Sequence, residues 1–224
     1  MHYGCEEMRP MKLTNFHFLS VFAALSLAAS PVAAQIVNGG FEAPVTSDGP
    51  PFVGFWEAFN GGPGSSAANS TLFPRTGLQS LNVSIVNTDN TFAGVFQDIP
   101  SITAGMGYTL SGWHLSNSSP LDMDVEVRIE WRNSAGNNEV GRTPNLLPIA
   151  TSSYTPFSLT ATAPAGADLA RLVYAGQTFT GGAGNNGSVF VDDVSFTVVP
   201  EPSTFALLCL GIVPFGFMLR RRRI

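Results

Sequence analysis

The chain has 224 residues, of which 12% are charged, 23 are glycine and 16 are proline, and its formal net charge is −5. This composition is typical of short strands joined by turns rather than of long helices. Residues 35–198 hold five arginines and thirteen acidic residues, a net −8 that argues against nucleic acid as a partner. Because Cys5 and Cys209 lie outside this segment, a hydrophobic core and not a disulfide has to stabilise it.

The N-terminal segment has the pattern of a secretory signal peptide. A basic residue precedes the apolar run Phe16–Ala29, and the small residues of Val32–Ala34 stand directly before Gln35. These three features in this order predict a signal peptide over residues 1–34, cleaved by signal peptidase between Ala34 and Gln35. Acidic residues near the first methionine are atypical of such a segment, so Met11 is an alternative start.

The middle segment, residues 35–198, shows the period-2 alternation of strands. In residues 125–132 every odd position is apolar and every even one is charged, which predicts a strand with one buried face and places Trp131 in the core. Turn-forming clusters separate this strand from six further runs, and no stretch of the segment has helical periodicity. These runs are Leu78–Val86, Ala93–Ile99, Tyr108–His114, Tyr154–Thr162, Leu169–Ala175 and Val189–Val198. The pattern predicts a single antiparallel β-sandwich or jelly roll of the all-β class.

Two tryptophans of this segment are candidate ligand platforms, because sugar rings stack on exposed aromatic faces. Trp113 shares its strand face with Thr109 and Ser111, which predicts a partly exposed ring. Trp56 stands near a glycine-rich loop and is predicted to line an edge. Core packing is the alternative for both side chains.

The last strand carries a carboxylate among apolar neighbours. Alternation places Asp192 on one face with Phe190, Val194 and Phe196, which predicts that its side chain points into the core. A buried carboxylate needs a metal ion, a counter-charge or hydrogen-bond donors, because unpaired burial costs several kcal/mol. Both a metal ligand and an acceptor of backbone amides remain open for Asp192.

Catalytic patterns are missing from the middle segment, so we predict no catalytic residues and no enzyme activity. It has one histidine, His114, and no cysteine, which removes Cys-His and multi-histidine zinc sites. The carboxylates of Asp124, Glu126 and Glu130 lie on the polar face of a regular strand, the usual place for solvated side chains.

The C-terminal segment, residues 199–224, has three parts in order. Pro200, Glu201 and Pro202 come first, and residues 204–219 then form an uncharged apolar run. As a helix this run is roughly 24 Å long, enough to span a membrane marginally, so we predict a transmembrane helix. A basic cluster follows and predicts a cytoplasmic anchor; its members are Arg220, Arg221, Arg222 and Arg223.

This tripartite tail resembles the PEP-CTERM sorting signal. The resemblance implies recognition by exosortase, a membrane protease that cleaves near the Pro-Glu-Pro motif. The protein would then be an exported precursor, anchored in the inner membrane and facing the periplasm. After processing it would reach the cell surface or the extracellular matrix of an exopolysaccharide-producing bacterium.

The middle segment resembles carbohydrate-binding-module-like (galactose-binding-like) jelly rolls. The resemblance rests mainly on residues 38–42, Asn-Gly-Gly-Phe-Glu, and residues 191–196, Val-Asp-Asp-Val-Ser-Phe. It implies one structural calcium ion held by Glu42 and Asp192. With the sorting signal, it predicts a protein that binds or embeds in exopolysaccharide; the alternative is a structural or adhesive surface protein that recognises protein partners.

Overall fold

The computed structural model describes residues 35–179 and 186–199, and this part of the chain forms ten strands and no helix. The strands are β1 Glu57–Asn60, β2 Ser65–Ser70, β3 Ser80–Ile85, β4 Phe92–Pro100, β5 Gly107–Ser116, β6 Asp124–Asn133, β7 Asn138–Arg142, β8 Thr155–Thr162, β9 Leu169–Gln177 and β10 Gly187–Val198. All seven predicted runs are strands. Prediction missed β1, β2 and β7.

The strands form two five-stranded sheets that pack face to face. The first sheet has the order β1-β4-β9-β6-β7, and the second has the order β2-β3-β10-β5-β8. Every pairing between these strands is antiparallel. The predicted antiparallel β-sandwich of jelly-roll type is therefore confirmed.

The targeting segments lie almost wholly outside the described residues. This holds for residues 1–34 with Ala34, for the motif at 200–202, for the predicted helix 204–219 and for the basic cluster at 220–223; Gln35 is the first described residue. Within the described ranges no helix is long and apolar enough to cross a membrane.

The core lies between the sheets and is built from alternate residues of each strand. On β6 the predicted alternation is confirmed: Val125, Val127 and Ile129 are buried in the core, and Trp131 is 3% exposed. On the core side of the second sheet, Tyr108 of β5 stacks on Phe196 of the neighbouring strand β10, with ring centroids 5.2 Å apart. The hydroxyl oxygen of Tyr108 accepts a hydrogen bond from the Thr103 backbone N–H, which satisfies the polar end of this buried ring.

A β-bulge interrupts the alternation of β10. Asp192 pairs with Trp113 of β5, but Ser195 pairs with Ser111, so two residues of β10 stand against Gly112. The extra residue is accommodated at Asp193, whose φ of 51° lies in the left-handed region. Before the bulge the odd-numbered residues of β10 face the core, and after it the even-numbered ones do.

Because of the bulge, the predicted orientation of Asp192 toward the core is wrong. The side chain is 0% exposed, as the apolar neighbours suggested, yet it lies on the outer face of the second sheet beside Trp113. Its burial comes from residues 71–79, the connection between β2 and β3, which crosses this outer face. Phe73 of that connection packs edge-on against Phe190 at 5.0 Å.

His114 is a titratable group inside the core. It is 1% exposed, and its Nδ1 lies 2.9 Å from the Tyr174 hydroxyl, while Nε2 lacks a hydrogen bond of ordinary geometry. Burial lowers the pKa of His114 to about 4, and an interaction with the Ile149 backbone opposes that change. The folded protein therefore keeps this imidazole neutral.

We predict an acid-labile contribution to stability from His114. The unfolded chain binds a proton near pH 6.5 and the folded chain only near pH 4. Stability is therefore highest above pH 6.5 and falls by up to about 3 kcal/mol as the pH drops from 6.5 to 4. Urea unfolding of wild type and His114→Gln at pH 7, 5.5 and 4.5 measures this loss. The variant keeps a polar partner for Tyr174 but does not titrate, so an equally steep decline in both proteins would contradict the prediction.

Candidate functional site

The outer face of the first sheet combines aromatic and charged side chains in register. One row across the sheet runs from Phe59 of β1 through Gly94 of β4 and Ala175 of β9 to Glu126 of β6. Large side chains thus stand at both ends of the row and small ones in its middle. The arrangement produces a trough, and we call this surface the phenylalanine face.

Five phenylalanine rings form one wall of the trough. Successive ring centroids are 4.9 to 6.1 Å apart, so the rings make a continuous apolar surface. In order along this wall the rings are Phe52, Phe96, Phe59, Phe92 and Phe179. Phe92 is 36% exposed and Phe179 is 54% exposed, so the end of the wall that these two form is open to solvent.

The floor of the trough depends on the missing side chain of Gly94. A Cβ at this position would lie 2.4 Å from the Tyr174 carbonyl oxygen and 2.7 Å from Cζ of Phe59. Glycine therefore lets the Phe59 ring lie over the sheet, and Ala175 continues the low floor. The resulting cleft has a volume of about 250 Å³, and its lining residues are Phe59, Phe92, Glu126, Arg128, Ala175, Gln177 and Phe179.

The opposite wall is a ladder of paired charges on β6. Arg128 Nε donates to Glu130 at 2.9 Å, and Arg128 Nη1 lies 3.5 Å from Glu126. Arg132 Nη1 donates to the second carboxylate oxygen of Glu130 at 3.1 Å. Because Glu126 and Glu130 share Arg128, the wall offers neutralised hydrogen-bonding groups rather than an isolated acid or base.

Arg171 joins the aromatic and the polar parts of the face. Its guanidinium makes a bidentate ion pair with the buried Asp98, at 2.7 and 2.9 Å. The same group lies 4.1 Å from the ring centroid of Phe96 and 5.1 Å from that of Phe52. Such a group holds both rings in place by cation–π contact while its charge is satisfied by a carboxylate.

The predicted platforms lie elsewhere. Trp56 is 2% exposed, packs against Phe41 at 5.2 Å and donates its indole N–H to the Asn38 carbonyl oxygen. The prediction of an accessible Trp56 is therefore wrong, because its ring is core. Trp113 is half-buried on the outer face of the second sheet, as its neighbours indicated, and the Arg75 guanidinium lies 4.0 Å over its ring.

The predicted calcium ligands hold the connection between β2 and β3. Asp192 Oδ2 accepts the backbone N–H groups of Arg75 and Thr76, at 2.8 and 3.1 Å. Burial raises the pKa of Asp192, and these backbone hydrogen bonds oppose the rise. On the same connection Glu42 Oε1 accepts the N–H groups of Leu78 and Gln79, at 2.8 and 3.1 Å.

Both side chains also lie near Gly40, Asp192 with its carboxylate and Glu42 with its Cγ. A Cβ on Gly40 would lie 3.7 Å from Asp192 Oδ1 and 4.0 Å from Glu42 Cγ. The two side chains thus share one neighbour, and both carboxylates already accept backbone hydrogen bonds. Among the described residues no group of three or more His, Cys, Asp or Glu side chains is arranged to hold a metal ion.

Sequence reasoning missed the phenylalanine face. A signal was present: Phe92 and Phe96 occupy the even positions of β4, whereas the core uses Ala93, Val95 and Ile99. Large aromatic residues on the face that should be wet are the mark of a binding surface. The register of β4 against β1 and β9 could not be read from one sequence.

Comparison with known proteins identifies the C-terminal segment and the fold. Residues 198–223 match the PEP-CTERM protein-sorting motif, so the predicted sorting signal is confirmed. The motif implies an exported, membrane-anchored precursor that exosortase processes into a surface protein. No curated protein matches the chain.

Solved structures show that the sandwich shares its fold with known jelly-roll domains, a carbohydrate-binding module among them. It resembles the CBM22-1 xylan-binding domain of Paenibacillus barcinonensis Xyn10C, with 14% identity, a TM-score of 0.53, and 77% of this chain and 99% of that domain covered. It also resembles the Stig cyclase Fisc of Fischerella sp. TAU, with 17% identity, a TM-score of 0.52, and 75% and 98% covered. The tailspike protein 4 of bacteriophage CBA120 shares 15% identity at a TM-score of 0.52, with 64% of this chain but only 19% of the tailspike chain covered.

Proposed function

We propose that this protein is an exported surface or matrix protein that binds extracellular polysaccharide through the phenylalanine face. The observation that carries the proposal is the trough itself: a wall of phenylalanine rings faces a wall of hydrogen-bonding groups across a floor of Gly94 and Ala175. Pyranose rings present apolar C–H faces and hydroxyl edges, and such a trough complements both. The likeness to a xylan-binding domain supports the same assignment.

Binding rather than catalysis suits this site. The carboxylates that border the trough are engaged by arginines, and Arg171 is committed to Asp98. A glycosidase needs two carboxyl groups placed on either side of the scissile bond, one of them able to donate a proton. The wall of β6 instead presents alternating charges on one straight strand. A protein-binding coat protein without glycan affinity is the second candidate.

We predict that the double variant Phe92→Ala/Phe179→Ala binds the host's exopolysaccharide about ten- to a hundredfold more weakly, because two exposed stacking rings are lost. Ala175→Leu, which fills the floor of the trough, should weaken binding comparably. Calorimetric titration of the purified sandwich measures both effects.

The matched control for these variants is Trp113→Ala on the other sheet. It should leave the affinity unchanged, because Arg75 already covers the ring. Loss of binding in Trp113→Ala with full binding in the trough variants would move the site to the second sheet. Failure of the wild type to bind any glycan would instead favour the coat protein.

The sorting signal leads to a proposal about processing. Signal peptidase would cleave between Ala34 and Gln35, and the helix at 204–219 would hold the precursor in the inner membrane with Arg220–Arg223 inside the cell. The sandwich would then face the periplasm until exosortase cleaves near Pro200–Pro202. Release at that point frees the domain for the cell surface or matrix.

We predict that protein recovered from the host surface begins at Gln35 and lacks the apolar tail. Intact-mass spectrometry of wild type and Glu201→Ala checks this. The variant keeps the apolar tail and the arginines but alters the motif, so it should remain membrane-bound at the larger mass. Loss of the apolar tail from both proteins would show that this motif does not direct the cleavage.

A structural calcium ion at Glu42 and Asp192 remains part of the proposal. The Asp192 carboxylate and the Glu42 side chain both lie near Gly40, and backbone carbonyl groups would have to supply most of the six to eight oxygens that Ca²⁺ takes. The ion would fasten the segment that contains Glu42 to β10. In the alternative without metal, the two carboxylates are stabilised by the hydrogen bonds that they already accept from five backbone N–H groups.

We predict that chelation lowers the melting temperature of the sandwich by about 5–10 °C if the ion is bound at a hundred times its dissociation constant. Scanning calorimetry with excess calcium and with chelator measures the shift. Glu42→Gln should reduce the calcium dependence. Equal melting temperatures in calcium and chelator would leave amide binding as the whole role of these carboxylates.

A further inference from the structure

The four edge strands of the sandwich are protected to different degrees. A free strand edge presents unpaired N–H and C=O groups, and proteins shield such edges with charges, bulges, short length or a covering segment. Strand β1 has four residues, and Thr46 covers it through hydrogen bonds to Trp56 and Ala58. Strand β7 carries Glu139 and Arg142 and pairs with β6 through a bulge.

The two edges of the second sheet contrast with each other. On β2 the side chain of Asn69 binds the backbone of Phe41, Ala43 and Val45, so residues 41–45 lie along that edge. Strand β8 has eight residues, no charged residue and a regular register with β5. Within the part of the chain that the structure describes, it has only one of the usual shields, a proline at its second position.

The free backbone groups of β8 can be assigned from one hydrogen bond. The N–H of Ala163, directly after the strand, donates to the Met106 carbonyl on the β5 side at 3.0 Å. Because backbone direction alternates along a strand, the odd-numbered residues of β8 face β5 and the even-numbered ones face outward. The outward residues are Pro156, Ser158, Thr160 and Thr162, and all four are exposed. Proline has no N–H, so its place on the outward side agrees with this assignment.

Among the described residues, β8 itself and the outward side chains beside its residues 158–160 carry no charge. Two rows of hydroxyl side chains run across β10, β5 and β8, and their members are Ser195, Ser111 and Ser158 in one row and Thr197, Thr109 and Thr160 in the other. Ser111 and Ser195 are hydrogen-bonded at 2.9 Å, and Thr109 and Thr160 at 2.8 Å. Copies of an acidic domain repel one another, and the repulsion is weakest where the strands that come together carry no charge themselves.

We propose that two copies of the protein pair through antiparallel contact of their β8 strands. A two-fold axis through Leu159 places Ser158 opposite Thr160 of the second copy and Pro156 opposite Thr162. In this register the core-facing residues of both copies lie on the same side of the joined sheet. Each of the three free N–H groups of β8 then donates to a carbonyl oxygen of the second copy. Neither neighbouring register, centred on Ser158 or on Thr160, pairs all four outward residues within the strand.

The occupant is a second copy because the edge is self-complementary. The strand has no charged residue that would select a different partner, and the two-fold arrangement satisfies the same groups on both sides. Since the other edges are shielded, pairing closes at two copies and gives one ten-stranded sheet.

The test uses the full chain in detergent micelles and compares two substitutions of one residue. Thr160→Pro removes the outward N–H together with the hydroxyl that bonds Thr109, whereas Thr160→Val removes only that hydroxyl. Sedimentation velocity should show dimers for wild type and for Thr160→Val, and about ten- to a hundredfold weaker association for Thr160→Pro. Circular dichroism and melting temperature check that the proline variant is folded.

A second substitution covers the case of a misfolded proline variant. Thr160→Lys keeps the N–H but brings two like charges together across the axis, so it should also weaken the dimer. A monomeric wild type at tens of micromolar would overturn the proposal. Dimers that persist unchanged in a folded Thr160→Pro or Thr160→Lys protein would overturn it as well.

Discussion

Two-layer packing is the constraint on which the rest of this structure depends. With no cysteine between residues 35 and 198, the domain has only its core to hold the sheets together. Each strand therefore gives one face to the interior, where Val127, Ile129 and Leu172 are fully buried. The same requirement leaves two whole sheet faces outside, and everything the domain can recognise has to be built on them or on their edges.

One extra residue changes how these outer faces are composed. The bulge at Asp193 shifts β10 by one position, so Asp192 leaves the core and joins Trp113 outside. A carboxylate placed there would be wet on a bare sheet. It is buried because the connection over residues 71–79 lies across it, and Arg75 pairs with Asp193 and stacks on Trp113. The bulge and the connection over residues 71–79 therefore act together, because the carboxylates at the bulge hold this long connection against the sheet.

Some of these strands could be predicted from the sequence and others could not. Long strands with strict alternation, such as β6, were predictable because one face must be apolar. The short edge strands were not: β2 consists of small residues in a stretch with turn-like composition, and β7 has no buried face. The alternation of apolar residues also led to the wrong face for Asp192. A β-bulge adds one residue to a strand and so reverses which positions face the core, and the sequence pattern does not show where a bulge occurs.

The candidate site was less accessible to prediction than the fold. Glu126 and Arg128 were correctly assigned to an outward face, but the rings that complete the trough come from β1, β4 and the end of β9. Only the pairing of Gly94 with Phe59 and Ala175 brings them together. Trp56 looked available because it stands among glycines, yet its indole is needed to close the core over Phe41. Composition near a residue is a poor guide to which side of a sandwich it lies on.

The distribution of charge is consistent with two separate contact surfaces on the domain. Each of the five arginines between residues 35 and 198 makes an ion pair, so the remaining acidic residues give the domain its surplus negative charge. Close contact is then favoured only where charge is balanced or missing, which is the case at the phenylalanine face and at the edge of β8. These surfaces lie on different sheets, so pairing through β8 leaves both troughs open. A dimer with two open troughs would hold a polysaccharide at two points, and binding the second trough within an already bound complex strengthens attachment without any new contact.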